Sequence, residues 1–148
     1  MDNKTVRAIC LGILVEGRHR FNAMLGIVSR IRGETYEIFA VSSDTQIPEV
    51  GDAYMLNAVY CREVFQKRRT VAITEVDGVS GMRLHPLYGR IPCEFYISAP
   101  IMVAGEVWGT LNFTSLDKRE TPFTADDIAF IESRATRIAA AVAEAGMG

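Results

Sequence analysis

The chain is poor in the residues that metal and disulfide chemistry need. Of its 148 residues, 3 are cysteine and 2 are histidine. Cys10, Cys61 and Cys93 lie far apart and none belongs to a Cys-x-x-Cys pair. An odd number at such spacing argues against a disulfide framework and against a zinc site. Free thiols in a reducing cytoplasm are expected instead. Long apolar runs are missing too, and the longest uncharged stretch is far short of a membrane span. The start, Met1-Asp2-Asn3-Lys4, leads into a mixed segment with Arg7, Glu16, Arg18 and Arg20, unlike a secretory signal. Neither sign of charge dominates. The formal net charge of -2 argues against a general nucleic-acid binder, while leaving room for a small anion in a local pocket. GxGxxG, Walker, HExxH and GxSxG motifs are all absent, so nothing points to a dinucleotide, a nucleoside triphosphate, a zinc protease or a serine hydrolase. Internal repeats and low-complexity tracts are absent as well.

What is present is patterning. At 148 residues and 49% apolar composition, the chain suits one domain with a real core. Val6, Ile9, Cys10, Ile13 and Leu14 recur at helical spacing and predict a helix over 4–18, with Gly17 as its stop. Residues 23–41 predict a hairpin. Ile27, Ser29 and Ile31 alternate with Val28, Arg30 and Arg32, and after Gly33-Glu34 the sets are Tyr36, Ile38, Ala40 and Glu37, Phe39, Val41. A polar loop over 42–52 leads to a second helix over 54–67, whose apolar face is Leu56, Val59, Tyr60, Val64 and Phe65. A short strand over 70–76 follows, and then a long irregular stretch from Asp77 to Pro92, of the kind that carries function in compact domains. The clearest hairpin joins a strand over 95–103 to one over 106–115 through Ala104-Gly105. The last helix, over 124–145, is capped by Thr124 with Asp127 at the capping-box position and Phe123 and Ile128 placed for a staple. Its stripe of Ile128, Ile131, Ala135, Ile138 and Val142 has coiled-coil-like spacing. Hairpins with helices at both ends and one in the middle give an α+β domain built on an antiparallel sheet.

Three segments carry a family resemblance: Tyr96-Ile97-Ser98-Ala99-Pro100-Ile101-Met102-Val103, then Gly105-Glu106-Val107-Trp108-Gly109-Thr110-Leu111-Asn112-Phe113, then Pro122-Phe123-Thr124-Ala125-Asp126-Asp127. Together they resemble the C-terminal half of a GAF domain. Upstream, Tyr60-Cys61-Arg62-Glu63-Val64 and His85-Pro86-Leu87-Tyr88 resemble a bacterial subgroup found beside signalling modules. The resemblance spans about residues 23–143. It implies a central antiparallel sheet with the N- and C-terminal helices on one face, often paired with a second copy, and a middle helix and loops enclosing a pocket on the other. It therefore implies a cytoplasmic homodimer that senses a small molecule and acts on a signalling effector protein, with no membrane or nucleic-acid partner. The expected switch has a ligand order the Asp77–Pro92 loop, shift the sheet and move the terminal helices.

The resemblance is strong for the family and weak for the ligand, since such folds diverge in what they bind. In phytochrome-like members a cysteine beside a histidine attaches a bilin; here Leu84 precedes His85 and no cysteine adjoins it. Members that reduce free methionine-R-sulfoxide need an attacking thiolate and a resolving thiol. Val59-Tyr60-Cys61-Arg62 and Pro92-Cys93-Glu94-Phe95 do not carry that group's motifs, so an enzyme is not expected. Lys118, Phe123 and Asp127 match part of a cyclic-nucleotide signature, but staple and cap already explain Phe123 and Asp127. The expected pocket walls are Phe39, Cys61 and Phe65, His85 and Tyr88, and Glu94, Tyr96 and Asn112, suited to a small planar or amphipathic ligand of unspecified identity. Phe39, Cys61 and Phe65 are equally well explained as core. A dimerisation module without ligand is the alternative reading.

Overall fold

The computed structural model describes residues 1–44, 49–55, 68–73, 95–115 and 119–148. In chain order the elements are α1 (Asn3–Phe21), β1 (Leu25–Arg32), β2 (Thr35–Ser43), β3 (Ala53–Met55), β4 (Val71–Ile73), β5 (Phe95–Val103), β6 (Glu106–Ser115) and α2 (Ala125–Glu144). The strands form one 6-stranded sheet in the order β3-β2-β1-β6-β5-β4. Every neighbouring pair is antiparallel. Both predicted hairpins are present, and the second has the predicted bounds. Ala104 and Gly105 turn it with φ of 52° and 80°, the left-handed pair that a two-residue hairpin needs.

Three boundaries differ from the sequence reading. Residues 54 and 55 lie in β3 rather than at the start of a helix; the rest of that expected helix, 56–67, is outside the described residues. Ser42 and Ser43 extend β2 into the expected loop. Finally, α1 continues past Gly17 to Phe21 and ends at Asn22, whose φ of 52° supplies the left-handed cap. Gly17 is a packing residue, not a stop. A Cβ there would lie 2.0 Å from Cζ of Phe113, so the helix crosses β6 closely because position 17 has no side chain.

The two helices share one face of the sheet. From α1 come Val6, Cys10, Ile13, Leu14 and Phe21, and from α2 Ile131, Ala135, Ile138, Ala141 and Val142, all buried against Val28, Ile97, Ala99, Ile101, Leu111 and Phe113. Burying each large aliphatic side chain this way contributes about 1.5–3 kcal/mol before entropy. The stripe of α2 that sequence spacing offers as a pairing surface is therefore used on its own sheet. Arg134 of α2 donates from Nε and Nη2 to the Glu16 carboxylate of α1, at 2.8 and 3.0 Å, and ties the helices together.

The start of α2 is an electrostatic knot. The Thr124 hydroxyl accepts from the Asp127 amide at 3.1 Å, and the Asp127 carboxylate accepts from the Thr124 amide at 2.9 Å. The same carboxylate meets Arg20 at 3.2 Å and Arg119 at 3.3 Å. Burial pushes its pKa up, but the bonds from Thr124 and the charges of Arg119 and Arg20 outweigh this and hold it below the ordinary aspartate value. A carboxyl depressed in the folded state contributes stability above its unfolded pKa, about 3.9, and that contribution is lost as pH falls through the folded value.

Three variants have expected outcomes. In urea melts, Thr124→Ala loses about 1 kcal/mol, and Asp127→Asn loses stability at neutral pH and flattens the acid limb of the stability–pH curve. Gly17→Ala, a substitution that favours an isolated helix, lowers the melting stability by about 1–3 kcal/mol because Phe113 must move.

Candidate functional site

Strand residues alternate sides, so each antiparallel pair assigns its two residues to a common face. Two bulges interrupt the alternation. One lies in β2, where Val28 pairs with Ala40 and Ser29 with Ile38, leaving Phe39 as the extra residue. The other lies in β6, where Ile101 pairs with Gly109 and Met102 with Val107, leaving Trp108 extra. Both aromatics lie on the helix side, where their rings meet edge-on at 5.4 Å. Phe39 also lies under the Arg7 guanidinium of α1, 4.5 Å away. This corrects the expectation for Phe39. It is part of the helix-side core.

That opposite face has a different chemistry. Register places Ser29, Thr110, Ser98, Asn112, Tyr96 and Thr114 on it, across the three central strands β1, β6 and β5. Ser29, Ser98 and Thr110 are 0% exposed, Tyr96 is 1%, and Asn112 and Thr114 are each 4% exposed. A buried block of hydroxyls and an amide at the centre of a sheet is unusual, because each group must recover the hydrogen bonds it had in water. The hydroxyls of Ser29 and Thr110 lie 2.7 Å apart, and Ser29 Oγ also accepts from the Thr110 amide at 3.0 Å. Thr114 Oγ1 is buried with no hydrogen-bond partner among the described residues. Around the block the same face carries Leu25, Ile27, Tyr36 and Ile38, all buried. Among the described residues on this face there is no Asp, Glu, Lys, Arg or His.

Of the residues expected to line a pocket, Tyr96 and Asn112 are brought together here: Tyr96 pairs with Thr114 and Ser98 with Asn112, one alternation apart. Cys61, Phe65, His85, Tyr88 and Glu94 lie outside the described residues, as does the Asp77–Pro92 loop. Sequence reasoning missed Ser29, Ser98, Thr110 and Thr114. The signal was the run Thr110-Leu111-Asn112-Phe113-Thr114, whose polar half reads by default as a solvent face.

The helix side holds no comparable chemistry. Cys10 is the one free thiol among the described residues, and burial pushes its pKa up to about 12, so it carries no thiolate at neutral pH. No group of three or more His, Cys, Asp or Glu among the described residues could hold a metal ion. No helix among them is long and apolar enough to cross a membrane.

A family model, the GAF domain, matches residues 5–142. The chain belongs to the GAF domain family. This is a family of small-molecule-sensing signalling domains, and its fold agrees with the sheet and helix layer described above. Solved structures of the same fold include a type II free methionine-R-sulfoxide reductase from Thermoplasma acidophilum, with TM-score 0.77 and 17% identity, covering 96% of this chain and 95% of that one. The blue-light absorbing form of the Thermosynechococcus elongatus PixJ GAF-domain gives TM-score 0.77 at 16% identity, covering 97% of this chain and 88% of that one. The GAF domain of an Acinetobacter phosphoenolpyruvate-protein phosphotransferase gives 0.73 at 14%, covering 97% and 94%. At these identities the likeness is one of fold. No curated protein sequence matches this GAF domain at a significant level.

The lone Thr114 hydroxyl has a measurable signature. Thr114→Val keeps the shape and removes a buried group with no partner among the described residues, so the ligand-free GAF domain gains about 1 kcal/mol of stability in urea melts.

Proposed function

We propose that this GAF domain is a regulatory sensor rather than an enzyme, and that its ligand is a small molecule seated on the polar face of the sheet. One observation carries the reading: six hydrogen-bonding side chains are buried together at the centre of that face, with the Thr114 hydroxyl unanswered among the described residues. A purely structural core would be more stable with apolar residues there. The absence of charged side chains among the face's described residues favours a ligand whose buried part is uncharged and rich in donors and acceptors. A charged group on the ligand would have no counter-ion on the floor. Tyr96 and Asn112 are the expected floor residues that the register brings together, and His85, Tyr88, Glu94, Cys61 and Phe65 complete the proposed wall from outside the described residues.

Output through a homodimer fits the outer surface of the helix layer. On α1, Leu11 is 44% and Val15 61% exposed, and with exposed Ala8 they continue a 3-4 spacing. Ala8 also lines a groove between α1 and α2, with Ile9, Gly12, Ile13, Glu16 and Arg137. This surface, not the buried stripe of α2, is the proposed contact with a second copy, through which an effector protein would be reached.

The reductase among the similar structures keeps a thiol enzyme in view as the second reading. With Cys10 buried and protonated, that chemistry would have to rest on Cys61 and Cys93.

Native mass spectrometry of the protein from its own host, with an absorbance spectrum, tests the sensor reading. A bound mass is expected, weakened or lost in Thr114→Val and Ser98→Ala without loss of fold. A ligand-free protein, together with thiol-dependent turnover of free methionine sulfoxide abolished by Cys61→Ser or Cys93→Ser, would replace the sensor with an enzyme. In the same spectra wild type is expected as a dimer and Leu11→Glu/Val15→Glu as a monomer; a monomeric wild type removes the dimer.

A further inference from the structure

The end of α2 is stopped and fastened. Gly146, with φ of 68°, turns the chain out of the helix. Its amide reaches the Ala143 carbonyl at 3.1 Å, and the Met147 amide reaches the Val142 carbonyl at 3.0 Å. This is the paired bonding of a Schellman stop. The Met147 carbonyl then accepts twice, from Trp108 Nε1 at 3.1 Å and from Arg30 Nη2 at 2.9 Å. The Arg30 guanidinium lies 5.3 Å from the Trp108 ring, so the two donors also brace one another. The Met147 side chain is 7% exposed and belongs to the core.

Both donors adjoin the polar floor in sequence and in register. Arg30 pairs with Gly109, and the next pair along the two strands is Ser29 with Thr110. Trp108 and Gly109, consecutive in sequence, both face the helix side where β6 is bulged, and the Thr110 amide just beyond the bulge is held by the Ser29 hydroxyl. Gly109 between them leaves no slack: a Cβ would lie 1.8 Å from the Ser29 carbonyl oxygen, so the strands touch backbone to backbone. A group on the polar face that competes for the Ser29 hydroxyl acts on the same two-residue segment that sets the direction of Trp108.

We infer that the Met147 carbonyl, held by Trp108 and Arg30, is a latch on the end of α2, coupled through the β6 bulge to the Ser29–Thr110 pair on the polar face. Occupancy of the face loosens the latch, and residues 146–148 change their exposure or continue the helix. The identity of the trigger rests on the proposed ligand face. The coupling does not, and it can be tested on the protein without ligand.

The experiment is hydrogen exchange resolved at single amides, comparing wild type with Trp108→Phe, Thr110→Val and the double variant. Trp108→Phe keeps a ring and removes the Nε1 donor. Thr110→Val keeps volume and removes the hydroxyl. Each single variant is expected to speed exchange of the Met147 amide about tenfold, while the Ile97 and Leu111 amides keep their protection. In the double variant the two effects do not multiply, as for groups acting on one element. Trp108 is the only tryptophan, so its emission follows the latch directly, and a red shift is expected in Thr110→Val. An unchanged Met147 amide in Thr110→Val, or effects that multiply, overturns the coupling. Equal loss of protection at Ile97 and Leu111 also overturns it, since the tail would then open only with the whole domain. A ligand-free wild type in the mass spectra would remove the trigger and leave the coupling standing.

Discussion

Residues 28–30 of β1 lie between two bulged neighbours, and a bulge changes which side of a sheet the next side chain meets. On the β2 side the extra residue is Phe39, and on the β6 side it is Trp108. At each bulge two consecutive residues share the helix side, Phe39 with Ala40 and Trp108 with Gly109, so both rings pack under the helix layer. The face between carries hydroxyls and an amide. The chemistry of each face, the direction of Trp108 and the fastening of the end of α2 all follow from this local geometry.

A sheet buried on both sides has two problems to solve. The helix side solves its own with aliphatic and aromatic packing, where close approach is decided by small residues such as Gly17 under Phe113. The polar side is costlier, since buried hydroxyls contribute little unless every one is answered. Ser29 and Thr110 answer each other, while the Thr114 hydroxyl is not answered among the described residues. Protein cores that retain such a deficit sacrifice stability for something else, and in the sensor proposed above that something is binding.

Much of the fold was legible in the sequence because it rests on period. The alternation around Gly33 and around Ala104-Gly105 identified both hairpins, and the Thr124–Asp127 spacing located the start of α2. Boundaries were lost where a residue had two explanations. Gly17 reads as a helix stop, and only the ring of Phe113 shows that it is a contact. The stripe of α2 fits a coiled coil and a sheet equally well, and the sheet had first claim on it. The site was half legible. Tyr96 and Asn112 stood out as polar groups within strands, whereas Ser29, Ser98, Thr110 and Thr114 look like solvent-facing residues unless both faces are known to be covered. The alternation set Phe39 opposite Tyr36 and Ile38 correctly, but Ala40 and Val41 exchanged faces because a bulge leaves no mark in the pattern of polar and apolar residues.

The sheet order has a consequence for how the chain comes to fold. β1 obtains one neighbour, β2, through a short turn, but its other neighbour is β6, and the Ser29–Thr110 contact joins residues 81 apart in sequence. The bidentate pair between Glu16 and Arg134 spans 118 residues. α1 thus has its docking surface completed by β6 and α2. Closing so long a loop delays the reward for α1 and the first hairpin until α2 has been made. During that wait α1 and the first hairpin expose apolar surface that has no native partner, which makes this interval, rather than the finished domain, the stage most prone to aggregation.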